Sequence, residues 1–212
     1  RRQCSWGSPM LDRTAARILP FVVFMLASVA TSALSRHPDL AYPLKVVAMA
    51  VALWFFRRCY DWSRRGLDPV SLVAGAAVGL GWIAVPAPPG AHGAELAAAL
   101  AGLGGAAFAF WALARIVGTA VLVPMVEELF FRGYVLARLD RGGLGWRLVG
   151  IAVSSLLFAA LHGRWLAAGA AGIVFALVML RRGRLSDAIQ AHMAANILVA
   201  GWALANGDWS AI

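Results

Sequence analysis

The sequence predicts an all-α protein, a polytopic bundle of about seven or eight transmembrane helices. Hydrophobic residues make up 61% of the 212-residue chain and charged residues only 14%, whereas soluble domains carry about 25% charged residues. The apolar residues lie in long blocks, and a helix needs about 20 of them to cross a bilayer. The basic residues cluster between these blocks, as expected of short loops beside a membrane.

Eight apolar segments are candidate helices. Pro43 favours a helix start for the second, because proline is tolerated in the first turn. The stretch from 96 to 139 is too long for one ordinary crossing, so we expect a break at Arg115 and leave open one crossing or two. The segments are Ile18 to Leu34, Leu44 to Phe56, Val70 to Val85, Leu96 to Ala114, Ile116 to Leu139, Leu148 to Leu161, Leu166 to Leu180 and Ala188 to Leu204.

The net charge of +9 comes almost entirely from arginine. Loops 140–147 and 181–185 are separated by two predicted crossings, so both lie on one side, and their basic character predicts the cytoplasmic side. Loop 57–65 is also basic, which favours an odd number of crossings between 96 and 139. We therefore expect an integral membrane protein whose basic loops lie on the cytoplasmic side of the lipid bilayer, and we do not expect it to bind nucleic acid.

Glu127 and Glu128 directly follow an apolar run that a bilayer should enclose. A charge at the bilayer centre costs roughly 2.5–3.5 kcal/mol, so such residues indicate function. Glu128 and Arg132 are four residues apart and stack on one helix face, where they can neutralise each other. Glu127 is rotated from Glu128 by about 100°, so we expect it to face elsewhere and to have a different role.

Two more polar motifs occur in later apolar segments: His162 four residues after Phe158, and Asn196 four residues after His192. Glu127 lies 16 residues before Gly143 in the predicted turn (143 − 127) and His162 lies 19 after it (162 − 143). At about 1.5 Å per residue both lie some 24–29 Å from that turn, hence at similar depth. His192 and Asn196 share a helix face, and such side chains can donate to a developing oxyanion.

Together the three motifs resemble those of the CPBP intramembrane proteases, the family of CAAX prenyl endopeptidases and bacterial Abi proteins. The matching residues are Glu127-Glu128-x-x-x-Arg132, Phe158-x-x-x-His162 and His192-x-x-x-Asn196. The resemblance spans about residues 116 to 204. It implies a catalytic core there, with motif-free helices in residues 1–115 and a short tail in residues 205–212.

The resemblance implies a glutamate protease that uses neither metal nor cofactor. Glu127 would activate water with help from His162, while His192 and Asn196 would hold the oxyanion. Glu128, Arg132 and Phe158 would support the site. The implied partner is a protein or peptide at the membrane, and nothing in the sequence indicates a prenylated one. The run around the first motif also resembles an exosortase-associated branch, which would process exported or membrane-anchored proteins.

Three other readings stay open. Glu127, His162 and His192 could form a zinc site of one carboxylate and two imidazoles, although no His-Glu-x-x-His occurs. A membrane scaffold or immunity-type protein could keep the fold without turnover. A transporter would require a polar path through the bundle, and the sequence shows a single polar cluster.

Overall fold

The computed structural model describes residues 9–35, 37–60, 66–85 and 92–212. This part of the chain is helical, so the predicted all-α class is confirmed. Four of the helices (α1, α5, α7 and α8 below) are long and apolar enough to cross a membrane. The helices are α1 (Pro9–Leu34), α2 (Tyr42–Phe55), α3 (Pro69–Ala84), α4 (His92–Ala101), α5 (Gly105–Leu139), α6 (Leu144–Ala159), α7 (Trp165–Arg182) and α8 (Leu185–Asn206), followed by a short 3₁₀ turn (Trp209–Ala211).

The expected break at Arg115 was wrong. One continuous helix, α5, runs from Gly105 to Leu139, and the chain is non-helical at residues 102–104 instead. Arg115 does not interrupt the helix because its guanidinium has partners: it lies 3.8 Å from the Asp39 carboxylate and 4.3 Å from the centre of the Tyr42 ring. A single long helix agrees with the odd number of crossings that the loop charges favour.

Helix α5 widens to π-helical geometry twice, at Gly118–Leu122 and at Phe131–Leu136. Between them lies the α-helical segment Val123–Phe130 with both glutamates. Pro124 accounts for the first widening, because proline has no N–H and its ring clashes with the carbonyl one turn earlier. Such widened turns are common at functional sites.

Helices α3 and α8 run parallel and touch backbone to backbone. A Cβ atom at Gly75 would lie only 2.0 Å from the carbonyl oxygen of Ala191, and one at Gly79 only 2.7 Å from that of Ala195. Glycines spaced four apart let helices approach this closely. Ala191 and Ala195 directly precede His192 and Asn196 in the sequence, so α3 packs beside two of the predicted site residues.

Ion pairs join α3, α7 and α8 at one end of the bundle. Asp68 caps α3 by accepting hydrogen bonds from the Ser71 N–H (2.9 Å) and hydroxyl (2.5 Å). It also pairs with Arg181 and, at 3.3 Å, with Arg182. Tyr60 and Arg184 line one cavity at this end. The described start of the chain after α2, up to Tyr60, therefore lies at the same end of the bundle as the basic residues that end α7.

We predict that Gly75→Ala destabilises the protein, because the added methyl group must push α3 away from α8. Overpacking of this kind costs about 1–3 kcal/mol. Gly81→Ala is the matched control on the same helix: its Cβ would meet nothing within 4 Å, and alanine is favoured over glycine in a helix by about 0.5–1 kcal/mol. Thermal unfolding in detergent micelles should show opposite shifts, and equal shifts would refute the close α3–α8 contact.

Asp68 gives a pH-dependent prediction. The hydrogen bond from the Ser71 hydroxyl, helped by Arg181, holds the pKa of Asp68 at about 2, below its ordinary 3.8. A lowered pKa stabilises the fold fully above 3.8, and this stabilisation is lost as the pH falls towards 2. Asp68→Asn should therefore lower the unfolding temperature at pH 7, and the difference from wild type should shrink below pH 4. A difference that does not depend on pH would contradict the ion-pair account.

Candidate active site

The carboxylate of Glu128 is the centre of a fully buried polar cluster. Its Oε1 accepts a hydrogen bond from Arg132 Nη1 at 2.9 Å and one from His192 Nδ1 at 3.0 Å. Arg132 Nη2 donates to the Gly172 carbonyl at 2.8 Å. Glu128 and Arg132 are both 0% exposed. The predicted stacking of this pair is therefore present, and it ties α5 to α7 and α8.

Aromatic rings surround the guanidinium of Arg132. It lies 4.8 Å from the centre of the Phe158 ring, 5.7 Å from that of Phe175 and 5.9 Å from that of Phe131. Cation–π attraction stabilises a buried cation in such surroundings. Gly172 completes the enclosure, because a Cβ there would lie 3.1 Å from Arg132 Nη2.

Glu127 faces a different space from Glu128, as its rotation around the helix predicts. It lines a cavity of about 180 Å³ that Glu128 does not line. Its Oε2 is buried, lies 3.8 Å from His192 Nε2, and has no hydrogen-bond partner among the described residues. A buried carboxylate oxygen requires a partner, so a water or substrate group in the cavity would find an acceptor here.

His192 lies between the two glutamates. Its Nδ1 must be the donor to the Glu128 carboxylate, which leaves Nε2 on the side of Glu127. The imidazole stacks on Phe175, with ring centres 4.6 Å apart and an angle of 18°, and meets Phe158 edge to face at 5.6 Å. The hydrogen bond and the two rings together fix the orientation of His192.

His162 differs from the expectation, because it lies past the end of α6 and not within a helix. The helix ends at Ala159, and the chain turns before α7 begins at Trp165. The His162 Nδ1 donates to the Phe158 carbonyl at 2.8 Å, so Nε2 is the acceptor of the neutral ring. Burial lowers the pKa of His162 below its ordinary value, which favours this neutral form.

Asn196 lies one turn after His192 and lines the same cavity. Its Nδ2 donates to the Thr119 carbonyl at 2.8 Å, within the first widened turn of α5. An amide nitrogen carries two N–H groups, so one donor of Asn196 remains for a group in the cavity. The Thr119 hydroxyl is in turn hydrogen-bonded to the Tyr42 hydroxyl at 3.0 Å.

The structure thus brings together the residues predicted from three separate motifs. Glu127, His162, His192, Asn196 and Phe158 line one cavity, and Glu128 and Arg132 lie behind it. Four neighbours were missed: Phe175, Gly172, Thr119 and Trp82. Phe175 and Trp82 look like ordinary apolar residues of membrane helices and Gly172 like a packing glycine. Only Thr119 could have been singled out from the sequence, because it is a polar residue in an apolar run between Gly118 and Pro124.

No three His, Cys, Asp or Glu side chains in the described ranges lie close enough to hold a metal ion together. The Nδ1 atoms of the two site histidines are already hydrogen-bonded, that of His162 to the Phe158 carbonyl and that of His192 to the Glu128 carboxylate. The residues that the zinc reading requires, Glu127, His162 and His192, therefore do not form a ligand set as they stand.

The fold and the cavity define a helical membrane protein with a buried cluster of acidic, basic and imidazole groups. Residues 109–198 match the family model for Rce1-like type II CAAX prenyl endopeptidases. This confirms the resemblance drawn from the three motifs, which all lie within the matched segment. The family is one of peptidases that act on proteins at membranes, so an endopeptidase activity is supported. No curated protein and no solved structure matches the chain.

Arg132→Met should lower the free energy of unfolding by about 3–5 kcal/mol, because it leaves the Glu128 carboxylate buried without its cation. Arg147→Met is the control. It breaks an arginine–aspartate pair with Asp140 in which the Arg147 side chain is 51% exposed, and such pairs contribute at most about 1 kcal/mol. Reversible unfolding in mixed micelles measures both. Equal losses would mean that the buried pair is not the stronger one.

Proposed function

We propose that the protein is an intramembrane endopeptidase in which Glu127 activates a water molecule to hydrolyse a peptide bond. One observation carries the proposal: a buried carboxylate oxygen of Glu127 without a described hydrogen-bond partner faces a cavity, with the Nε2 of His192 at 3.8 Å. A general base must be able to reach the proton it removes. Glu128 already accepts hydrogen bonds from Arg132 and His192. Its neighbour Glu127 is therefore available to act as the base.

In the proposed reaction, Glu127 takes a proton from water while the water oxygen attacks the peptide carbonyl carbon. The C=O π electrons move to the oxygen and give a tetrahedral oxyanion. When this intermediate collapses, the C–N bond breaks and the proton held by Glu127 passes to the departing nitrogen. The products are a carboxylic acid and an amine, and Glu127 is regenerated as a carboxylate. A single residue thus serves as base and then as acid.

His192 is the proposed principal donor to the oxyanion. Its Nδ1 is held by Glu128, so only Nε2 can point towards the cavity. An imidazole that carries a hydrogen on Nε2 as well as on Nδ1 can donate from Nε2 to the oxyanion while Nδ1 stays bonded to Glu128. Donors fixed in advance at a developing negative charge supply several kcal/mol of transition-state stabilisation.

Asn196 and His162 have supporting roles in this proposal. Asn196 offers its second N–H to the oxyanion, while the first holds the amide against the Thr119 carbonyl. His162 presents Nε2 as an acceptor, because its Nδ1–H is bonded to Phe158. Such an acceptor can hold the second hydrogen of the attacking water and orient its lone pair towards the substrate.

The proposed substrate is a protein or peptide at the membrane. Apart from the site residues, the cavity is lined largely by small or apolar side chains, Val78, Val123, Ala171 and Val199 among them, which favours apolar side chains beside the cleaved bond. We further propose that the basic end of the bundle faces the cytoplasm of a bacterium, following the positive-inside rule. Exported or lipid-anchored proteins are the substrate classes that this placement suggests.

Two rival functions make different predictions. A zinc protease has less support, because its three required side chains are not gathered as ligands among the described residues. A scaffold or immunity-type protein would not need the ionised form of Glu127. What favours catalysis over the scaffold is that Glu127, unlike Glu128, lines the cavity together with His162, His192 and Asn196.

We predict that Glu127→Gln abolishes cleavage by the protein reconstituted in liposomes, with a loss of at least about 100-fold, because the amide cannot accept the proton of water. The probe is a fluorogenic peptide with a prenylated Cys-aliphatic-aliphatic-X end, tested beside an unmodified membrane-anchored peptide. Glu95→Gln, on the surface of α4, is the matched control and should leave the rate unchanged.

The outcomes separate the rivals. Cleavage by Glu127→Gln at the wild-type rate would defeat the glutamate mechanism. Activity lost with a chelator and restored by Zn²⁺ would favour the zinc protease. A wild-type protein that cleaves neither probe, combined with a Glu127→Gln variant that keeps its cellular function, would favour the scaffold.

A further inference from the structure

His162 is the least firmly held of the cavity-lining polar residues. It lies in the turn between α6 and α7, and its hydrogen bond joins it to Phe158, only four residues earlier in the chain. By contrast, Asn196 and His192 are held within α8 and bonded across to α5. A catalytic group needs its position fixed to a fraction of an ångström, so a contact from outside this turn is required.

Arg164 provides a contact of this kind. Its Nη1 donates to the Trp82 carbonyl at 2.6 Å, and its guanidinium lies 5.3 Å from the centre of the Trp82 ring. Arg164 is two residues after His162, so the bond fastens the turn to the last turn of α3. The Trp82 indole in turn meets the His162 imidazole edge to face, with ring centres 5.9 Å apart.

Helix α3 is itself fixed relative to the rest of the site. Gly75 and Gly79 bring its backbone into contact with that of α8 beside His192 and Asn196. Trp82 follows Gly79 by three residues, about 4.5 Å along the helix. A chain of direct contacts therefore runs from α8 through α3 to the turn with His162. Helix α3 lies outside residues 109–198, which match the family model.

We propose that Trp82 and Arg164 are positioning residues for His162, and that α3 belongs to the catalytic unit of this protein. The inference rests on the proposed peptidase function. Arg164 holds the turn and Trp82 limits the rotation of the imidazole, so that Nε2 of His162 meets the attacking water. Neither residue takes part in proton transfer.

The structure contains a matched control for this arrangement. At the end of α2, Arg57 Nη1 donates to the Trp54 carbonyl at 2.8 Å, and the guanidinium lies 4.1 Å from the Trp54 ring. This pair makes the same two kinds of contact as Arg164 with Trp82, but between residues three apart on the surface, and neither residue lines the candidate site. Arg57→Ala therefore serves as the control for loss of an arginine–tryptophan contact away from the candidate site, and we expect it to leave His162 unchanged.

The test compares Arg164→Ala, Arg164→Lys and Arg57→Ala in liposomes with the fluorogenic peptide. Arg164→Ala should lower kcat by about 10- to 100-fold, as expected of a misplaced catalytic group, with KM little changed. Arg164→Lys keeps a donor for the Trp82 carbonyl and should restore most of kcat. Arg57→Ala should keep the wild-type kcat. A purely structural role would lower the unfolding temperature of Arg164→Ala without this selective fall in kcat, whereas Arg57→Ala, which removes an exposed contact within one chain segment, should lower it less.

A second measurement does not require turnover. Diethyl pyrocarbonate modifies unprotonated imidazole, and peptide mass spectrometry gives its rate at each histidine. Arg164→Ala should raise the rate at His162 severalfold relative to exposed His37, with His192 unchanged. An unchanged His162 rate, or a kcat equal to that of Arg57→Ala, would overturn the positioning role. If the wild-type protein cleaves no probe, the proposed function fails, and the His162 rate still decides the positioning role.

Discussion

The carboxylate of Glu128, shared by Arg132 and His192, is the interaction on which the rest of the site depends. Burying two charges requires close hydrogen bonds in compensation, and here one oxygen receives donors at 2.9 and 3.0 Å. Arg132 extends the network to the Gly172 carbonyl of α7. The cluster therefore holds three helices together and at the same time selects the orientation of His192. Because Glu128 is bound in this way, its neighbour Glu127 is the acid left to face the cavity.

Departures from regular packing place the remaining groups. The widened turn at Gly118–Leu122 contains Thr119, whose carbonyl receives Asn196, and it lies just before Pro124, which a uniform α-helix would not accommodate. Glycines allow the close approach of α3 to α8. The site thus depends on the glycines of α3 and on the widened turn of α5 as well as on its ionisable residues.

The spacing of residues along one helix correctly predicted which side chains of that helix face the same way. The four-residue interval places Glu128 beside Arg132, and the 100° rotation per residue separates Glu127 from both. Contacts between different helices could not be predicted from this spacing. The bond from His192 to Glu128 gives Glu128 a role beyond the pairing with Arg132 that its spacing predicted. It depends on how α8 crosses α5, and spacing along a single helix carries no information on that angle.

Two expectations differ from the structure, each for its own reason. A break was expected at Arg115 because residues 96–139 are too long for one ordinary crossing, but Asp39 and Tyr42, which are distant in sequence, provide partners for Arg115 within a continuous helix. The depth estimate for His162 assumed a continuous helix up to that residue, whereas the chain turns at Ala160. The most direct test of the central claim is the ¹⁵N NMR spectrum of the His192 ring in micelles. The account predicts a proton on Nδ1 that is hydrogen-bonded to a carboxylate and changed by Glu128→Gln, and an unprotonated Nδ1 in the wild-type protein would contradict it.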